Sequence, residues 1–176
     1  MQGVEVAARQ AGLYMVHIAD ELRSAGFEVS EVSVGSTPTA RAIAHVPGIT
    51  EIRPGTYIFN DYDEMTVGVA VEDTCALTVL TTVVSIPSDD RAIIDAGSKT
   101  LSSDLLAATR GIDGHGYVKG LPDVRVDRLN EEHGILQLTN ANSRLRIGQR
   151  LEIIPNHVCP VVNLADVMYL MRDGAC

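Results

Sequence analysis

The sequence has 176 residues, with 14 Lys+Arg against 23 Asp+Glu, a formal net charge of −9. Hydrophobic residues make up 45% and charged residues 21%, a globular composition that argues against disorder. An acidic chain repels phosphate backbones, and no apolar run approaches the roughly 18 residues of a membrane span, so neither nucleic acid nor membrane is expected as a partner.

The N-terminus, MQGVEVAARQ, shows no basic region followed by an apolar one, so no secretory signal is visible. Cys75, Cys159 and Cys176 are too few and too scattered for a disulfide framework. A reducing cytoplasm is the expected compartment.

Residues 4–25 carry apolar side chains at intervals of three and four (Val4, Ala7, Ala8, Ala11, Met15, Ile18, Ala19, Leu22), the spacing of a helix, and Gly26 stands where a helix stops. Phe27 to Val34 alternates apolar and polar, as a strand does. The loop Gly35-Ser36-Thr37-Pro38-Thr39 follows, then a short helix expected over Thr39 to His45. Long strands are expected at Cys75–Ile86 and Arg91–Ala96, and shorter ones at Val124–Leu129, Gly134–Leu138 and Leu151–Ile154. Gly97, Gly111, Gly114, Gly116, Gly120 and Pro122 punctuate them. The acidic stretch Asn60-Asp61-Tyr62-Asp63-Glu64 suits a connection between a small α/β part and a mainly-β part. An α/β part of this size cannot build a layered sheet alone, so a larger parent is expected.

Five segments carry chemistry-bearing residues. In Val34-Gly35-Ser36-Thr37-Pro38-Thr39 a strand ends in glycine and hydroxyls before a helix start, the layout of a phosphate cradle or of a plain turn capped by Thr37. In Ile154-Pro155-Asn156-His157-Val158-Cys159-Pro160, an extended chain would project His157 and Cys159 to one face. An imidazole and a thiolate suit zinc, though they are an incomplete ligand set, and a buried Cys beside a hydrogen-bonded His is the alternative. Asn130-Glu131-Glu132-His133-Gly134 sets carboxylates and an imidazole in one turn, either lining a site or solvated. In Asp95-Ala96-Gly97-Ser98-Lys99 and the following Thr100–Asp104, Lys99 could pair with Asp95 or Asp104, or bind an anion. In Glu51–Tyr57, Arg53 and Tyr57 could reach an anion or only fix a turn.

Taken in order, the stretches VSVGSTPTA, ITEIRPGTYIFND, RAIIDAGSKTLSSD, LNEEHGILQL and EIIPNHVCPVVNL resemble the D-threonine aldolase and D-serine dehydratase family, pyridoxal-phosphate (PLP) enzymes related to alanine racemase. They span about Val32 to Leu164. The resemblance implies an α+β chain: residues 1–65 as the C-terminal end of a PLP-binding (β/α)8 barrel, and residues 66–176 as a mainly antiparallel β domain. It implies cofactor contacts from Gly35, Ser36, Thr37 and Tyr57, and Zn2+ or another divalent metal on His157 and Cys159. It further implies catalytic or lining roles for Glu132 and His133. The expected substrate is a β-hydroxy D-amino acid, and the chemistry a dehydratase or aldolase lyase reaction.

The family's Schiff-base lysine lies near the start of its barrel, and neither Lys99 nor Lys119 matches that position. The chain alone is therefore expected to be inactive, with a barrel half or a split-gene product as partner, and a homodimer as the assembly. A metal-binding or interaction module, or a non-catalytic remnant, is the alternative. The fragment reading also predicts exposed apolar surface on residues 4–34.

Overall fold

The computed structural model describes residues 2–106, 113–139 and 145–172; Gly111 and Cys176 lie outside them. The chain divides into two compact units, Met1–Asn60 with Glu64–Ala76, and Asp61–Asp63 with Leu77–Cys176.

The first unit opens on α1 (Gln2–Ser24). Its end is a Schellman motif: the Phe27 amide donates to the Leu22 carbonyl and the Gly26 amide to the Arg23 carbonyl, with Gly26 at φ 92°. Of the expected apolar stripe, only Ala8 and Ala19 are buried. A Cβ at buried Gly12 would sit 3.0 Å from Val46, so α1 packs closely on the segment after α2 (Thr37–Ile43). Val4 and Ile18 of the stripe are half-buried and Ala7, Ala11, Met15 and Leu22 exposed, and apolar residues outside the stripe are barer still, with Val6 58%, Leu13 53% and Tyr14 64% exposed, as is Phe27 at 63%.

The strand expected over Phe27–Val34 shrinks to β1 (Ser33–Gly35), which pairs in parallel with β2 (Glu51–Arg53). Alternation supplies a side-chain pattern, but a strand also needs a backbone partner, and β2 reaches only these three residues. The helix expected at Thr39–His45 starts at Thr37 instead, because Pro38 suits the first helical turn. Short 3-10 turns at Thr56–Ile58 and Glu72–Thr74 and the helix α3 (Tyr62–Thr66) follow.

The second unit is a closed antiparallel barrel of six strands: β3 (Val79–Ser88), β4 (Arg91–Ile94), β5 (Gly116–Val118), β6 (Val124–Leu129), β7 (Gly134–Leu138) and β8 (Arg150–Pro155). Their order is β3-β4-β7-β6-β5-β8, and β8 closes on β3 through Leu80↔Glu152 and Thr81↔Leu151. Alternate residues point inward, so Val83, Ala92, Ile94, Val118, Val126, Leu136 and Ile153 are fully buried in one core. β6 and β7 begin and end where the sequence places them, with a register shift between Val126 and Arg128. β3 starts four residues later than expected and β4 ends two earlier. Two short helices, α4 (Ser98–Leu101) and α5 (Val158–Leu164), pack on each other beside the barrel. The fold is thus α+β, as the resemblance implies.

His115, just before β5, is half-buried and its Nδ1 is buried without a partner among the described residues. Burial pushes its pKa down, against the opposing pull of Asp127. An unfolded chain then binds a proton near pH 6.5 that the folded chain refuses, so stability falls as pH drops below that value. Thermal unfolding followed by circular dichroism from pH 7.5 to 5.5 should show a falling Tm, and His115→Gln should flatten that fall. An equal slope in the variant would remove His115 as its cause.

Candidate functional site

In the first unit the Gly35–Thr39 loop leads from β1 into α2. Ser36 is the residue preceding the helix, at φ 94°, a strained conformation for a non-glycine residue, and its side chain makes no capping bond. Thr37 is not the cap: its hydroxyl accepts the Tyr57 amide at 3.1 Å. Thr39 Oγ1 donates back to the carbonyls of Gly35 and Ser36 at 3.4 and 3.3 Å. Parallel pairing sets Gly35 opposite Arg53, whose Nε donates to Ser33 Oγ at 2.8 Å. A Cβ at Gly35 would make ordinary contact with the Arg53 carbonyl oxygen and guanidinium, at 3.5 and 3.7 Å. The sequence left Arg53 and Tyr57 between anion contact and turn-fixing; the structure brings both to this loop. Backbone amides of a first helical turn beside an arginine suit an anion, and this loop fits a phosphate on those grounds.

In the second unit β8 ends at Pro155 and α5 begins at Val158, so the extended chain that would align His157 with Cys159 stops at His157. The turn is tied from three sides. Asn156, 1% exposed, donates its Nδ2 to the carbonyls of Asp104 (3.0 Å) and Gly114 (2.7 Å). Its own carbonyl accepts the Asp63 amide at 3.2 Å. The Val158 amide donates to Asp61 Oδ2 at 3.0 Å. The acidic stretch carries the chain from the first unit to the second, and two of its side chains, Asp61 and Glu64, are buried, 1% and 5% exposed.

His157 Nδ1 lies 2.8 Å from Asp104 Oδ2, and Cys159 is an exposed free thiol. Among the described residues no three His, Cys, Asp or Glu side chains gather as a metal cluster. The donor chemistry nevertheless fits a borderline-soft divalent ion: a thiol, and an imidazole whose other nitrogen is held by a carboxylate, the usual arrangement behind a metal-bound histidine. Two donors are fewer than a closed structural site uses.

The Gly97–Asp104 and Asn130–His133 segments dock on each other. Ser98 and Lys99 donate their amides to the carbonyls of Asn130 and Glu131, at 2.8 and 3.1 Å. Lys99 pairs with Glu132, neither with Asp95 nor with Asp104. The ammonium beside it holds the Glu132 carboxyl below the usual range, and Glu132 raises Lys99 in turn. Burial pushes Asp95 up, but the Thr82 amide and the Thr81 hydroxyl outweigh it and hold its carboxyl low. Glu132 and His133 are exposed, and among the described residues no hydrogen bond or ion pair joins them to His157 or Cys159. Lys99 does line one shallow recess of about 340 Å³ with Ser102, Ser103, Asp104, Pro160 and Asn163.

Sequence reading missed three residues of this site: Asp104 as the partner of His157, Asn156 as the tie between them, and Asp61 under α5. A signal existed only for Asn156, a polar residue at the end of an otherwise apolar run, Leu151 to Pro155.

Residues 76–171 match the family described as the putative serine dehydratase domain. The D-threo-3-hydroxyaspartate dehydratase of Delftia sp. is 36% identical over 171 residues, which cover 90% of this chain and 45% of that protein. Its solved structure superposes with a TM-score of 0.82 over 93% of this chain and 47% of that one, at 36% identity. Two variants of it have also been solved: one replaces a histidine by alanine, the other a cysteine two positions on, the latter in a metal-free form. The D-threonine aldolase of Arthrobacter sp. is 32% identical over 170 residues, covering 94% of this chain and 42% of that protein. The chain spans less than half the length of these two relatives, and corresponds to their C-terminal portion. An uncharacterised protein of Mycobacterium tuberculosis is 34% identical over 122 residues, covering 66% of this chain and 89% of that protein.

Proposed function

The chain belongs to the putative serine dehydratase domain family, and from that premise we propose that it is the C-terminal part of a PLP- and divalent-metal-dependent lyase acting on β-hydroxy D-amino acids. The observation that carries this reading is the His157–Asp104 pair with Cys159 two residues on, a histidine and cysteine at the spacing altered in the two Delftia variants. When bound, PLP supplies an electron sink for the substrate's Cα–H or Cα–Cβ bond, and the metal supplies Lewis acidity at a β-hydroxyl.

The chain's own residues have separable tasks. His157 Nε2 and the Cys159 thiolate hold the metal. The amides of Ser36 and Thr37, with Arg53 adding positive charge, would bind the cofactor phosphate. Tyr57 fixes that loop through its amide on Thr37. Glu132 holds the Lys99 ammonium over the recess that Asp104 lines, and His133 extends the same turn. The exposed apolar face of α1 and the nearly bare β1–β2 pair support a covering barrel segment, since parallel strands are normally buried on both faces. The same exposure makes self-association the expected behaviour of the chain alone.

The test is a chimera in which this chain replaces the matching C-terminal portion of the Delftia dehydratase. Ammonia release from D-threo-3-hydroxyaspartate and D-serine, and aldehyde release from D-threonine, are then measured. Activity on one of them supports the reading and separates dehydratase from aldolase. A folded, PLP-loaded chimera inert on all three overturns it. A second reading, a metal-binding module without catalysis, is favoured by the M. tuberculosis protein, of which this chain's match covers 89%.

A further inference from the structure

We infer that Asp104 is the positioning residue for His157: its carboxylate fixes the imidazole as the Nδ1–H tautomer and turns Nε2 outward as the metal-binding lone pair. The inference rests on the metal reading above and extends it to a residue outside the ligand pair.

An ionised carboxylate only accepts, so a ring nitrogen 2.8 Å from Asp104 Oδ2 must carry the hydrogen, and in the neutral ring the lone pair is then at Nε2. The pair is about half exposed, 46% for His157 and 50% for Asp104, so its contribution to folding is small. What it supplies is orientation, and the backbone around it is built for that. Asn156, next to His157, clamps the Asp104 carbonyl, so two consecutive residues grip Asp104 at its main chain and its carboxylate. From the other side the Asp104 amide donates to Ser102 Oγ at 3.2 Å. Ser102 is buried at φ 60°, a conformation that non-glycine residues hold only when their surroundings enforce it. Among the described residues both lysines are engaged elsewhere: Lys99 is on Glu132, and Lys119 faces Glu152 at 3.8 Å.

The test uses the full 176-residue chain. Zinc is titrated against a chromophoric chelator for wild type, Asp104→Asn, Asp104→Ala and the His157→Ala/Cys159→Ser double variant. Loss of such a carboxylate typically weakens metal binding about 10- to 100-fold, and that is the expected loss in Asp104→Ala. Asp104→Asn retains an Oδ1 acceptor and should lose less; the readout that a mere packing role would not move is the imidazole tautomer. Nitrogen-15 spectra of the metal-free imidazoles should show His157 as Nδ1–H in wild type and shifted toward Nε2–H in Asp104→Ala. Wild-type zinc affinity in Asp104→Ala, or an unchanged tautomer, overturns the inference alone. Wild type binding zinc no better than the double variant overturns the metal reading and this inference together.

Discussion

Purified wild-type chain should carry about one zinc, and the His157→Ala/Cys159→Ser variant none, when metal is counted by elemental mass spectrometry after dialysis. Both side chains are exposed, so their loss should change the metal-free fold by about 0.5 kcal/mol or less apart from the Asp104 contact. The two proteins should therefore melt at similar temperatures without metal. Zinc at 100 times its dissociation constant should then stabilise wild type by about 2.7 kcal/mol and leave the variant unmoved. Zinc retained by the double variant would place the metal elsewhere. Zinc absent from both would leave His157 and Asp104 as a structural pair.

Gly97→Ala should cost the barrel unit about 3 kcal/mol or more, a Tm lower by roughly 10–20 °C. A Cβ there would meet the Glu131 carbonyl oxygen at 2.3 Å and the Asn130 carbonyl oxygen at 2.4 Å. Both are backbone atoms, and both accept amides from Ser98 and Lys99, so neither can retreat without breaking the docking that sets Lys99 beside Glu132. Gly120→Ala is the control: φ is +70° but the space around it is open, so the expected loss is only about 1 kcal/mol. Equal losses in the two variants would show that close approach at Gly97 is not the constraint.

Five of the six barrel strands were legible because alternation reports burial over two residues, a distance the sequence displays; β5, three residues among glycines, was not. β6 and β7 match residue for residue, and Gly26 ends α1 through a motif written within six residues. Where a second segment is needed, legibility failed. Phe27 to Val32 alternates like a strand, yet among the described residues no strand pairs with it. The His157–Cys159 alignment assumed extended chain, and the turn at Asn156 with the Asp61 bond to Val158 replaced it.

Residue types and spacing by themselves determined that this chain holds a glycine-hydroxyl loop before a helix, a His-x-Cys pair after a strand, and a run of short strands. The tertiary structure alone decided which acid meets which base. Asp104 meets His157 across 53 residues, Lys99 meets Glu132 across 33, and Asp61 meets the Val158 amide across 97. Short local rules cannot specify such pairs, because each forms only when the barrel closes and its turns are brought to one end of the chain's path.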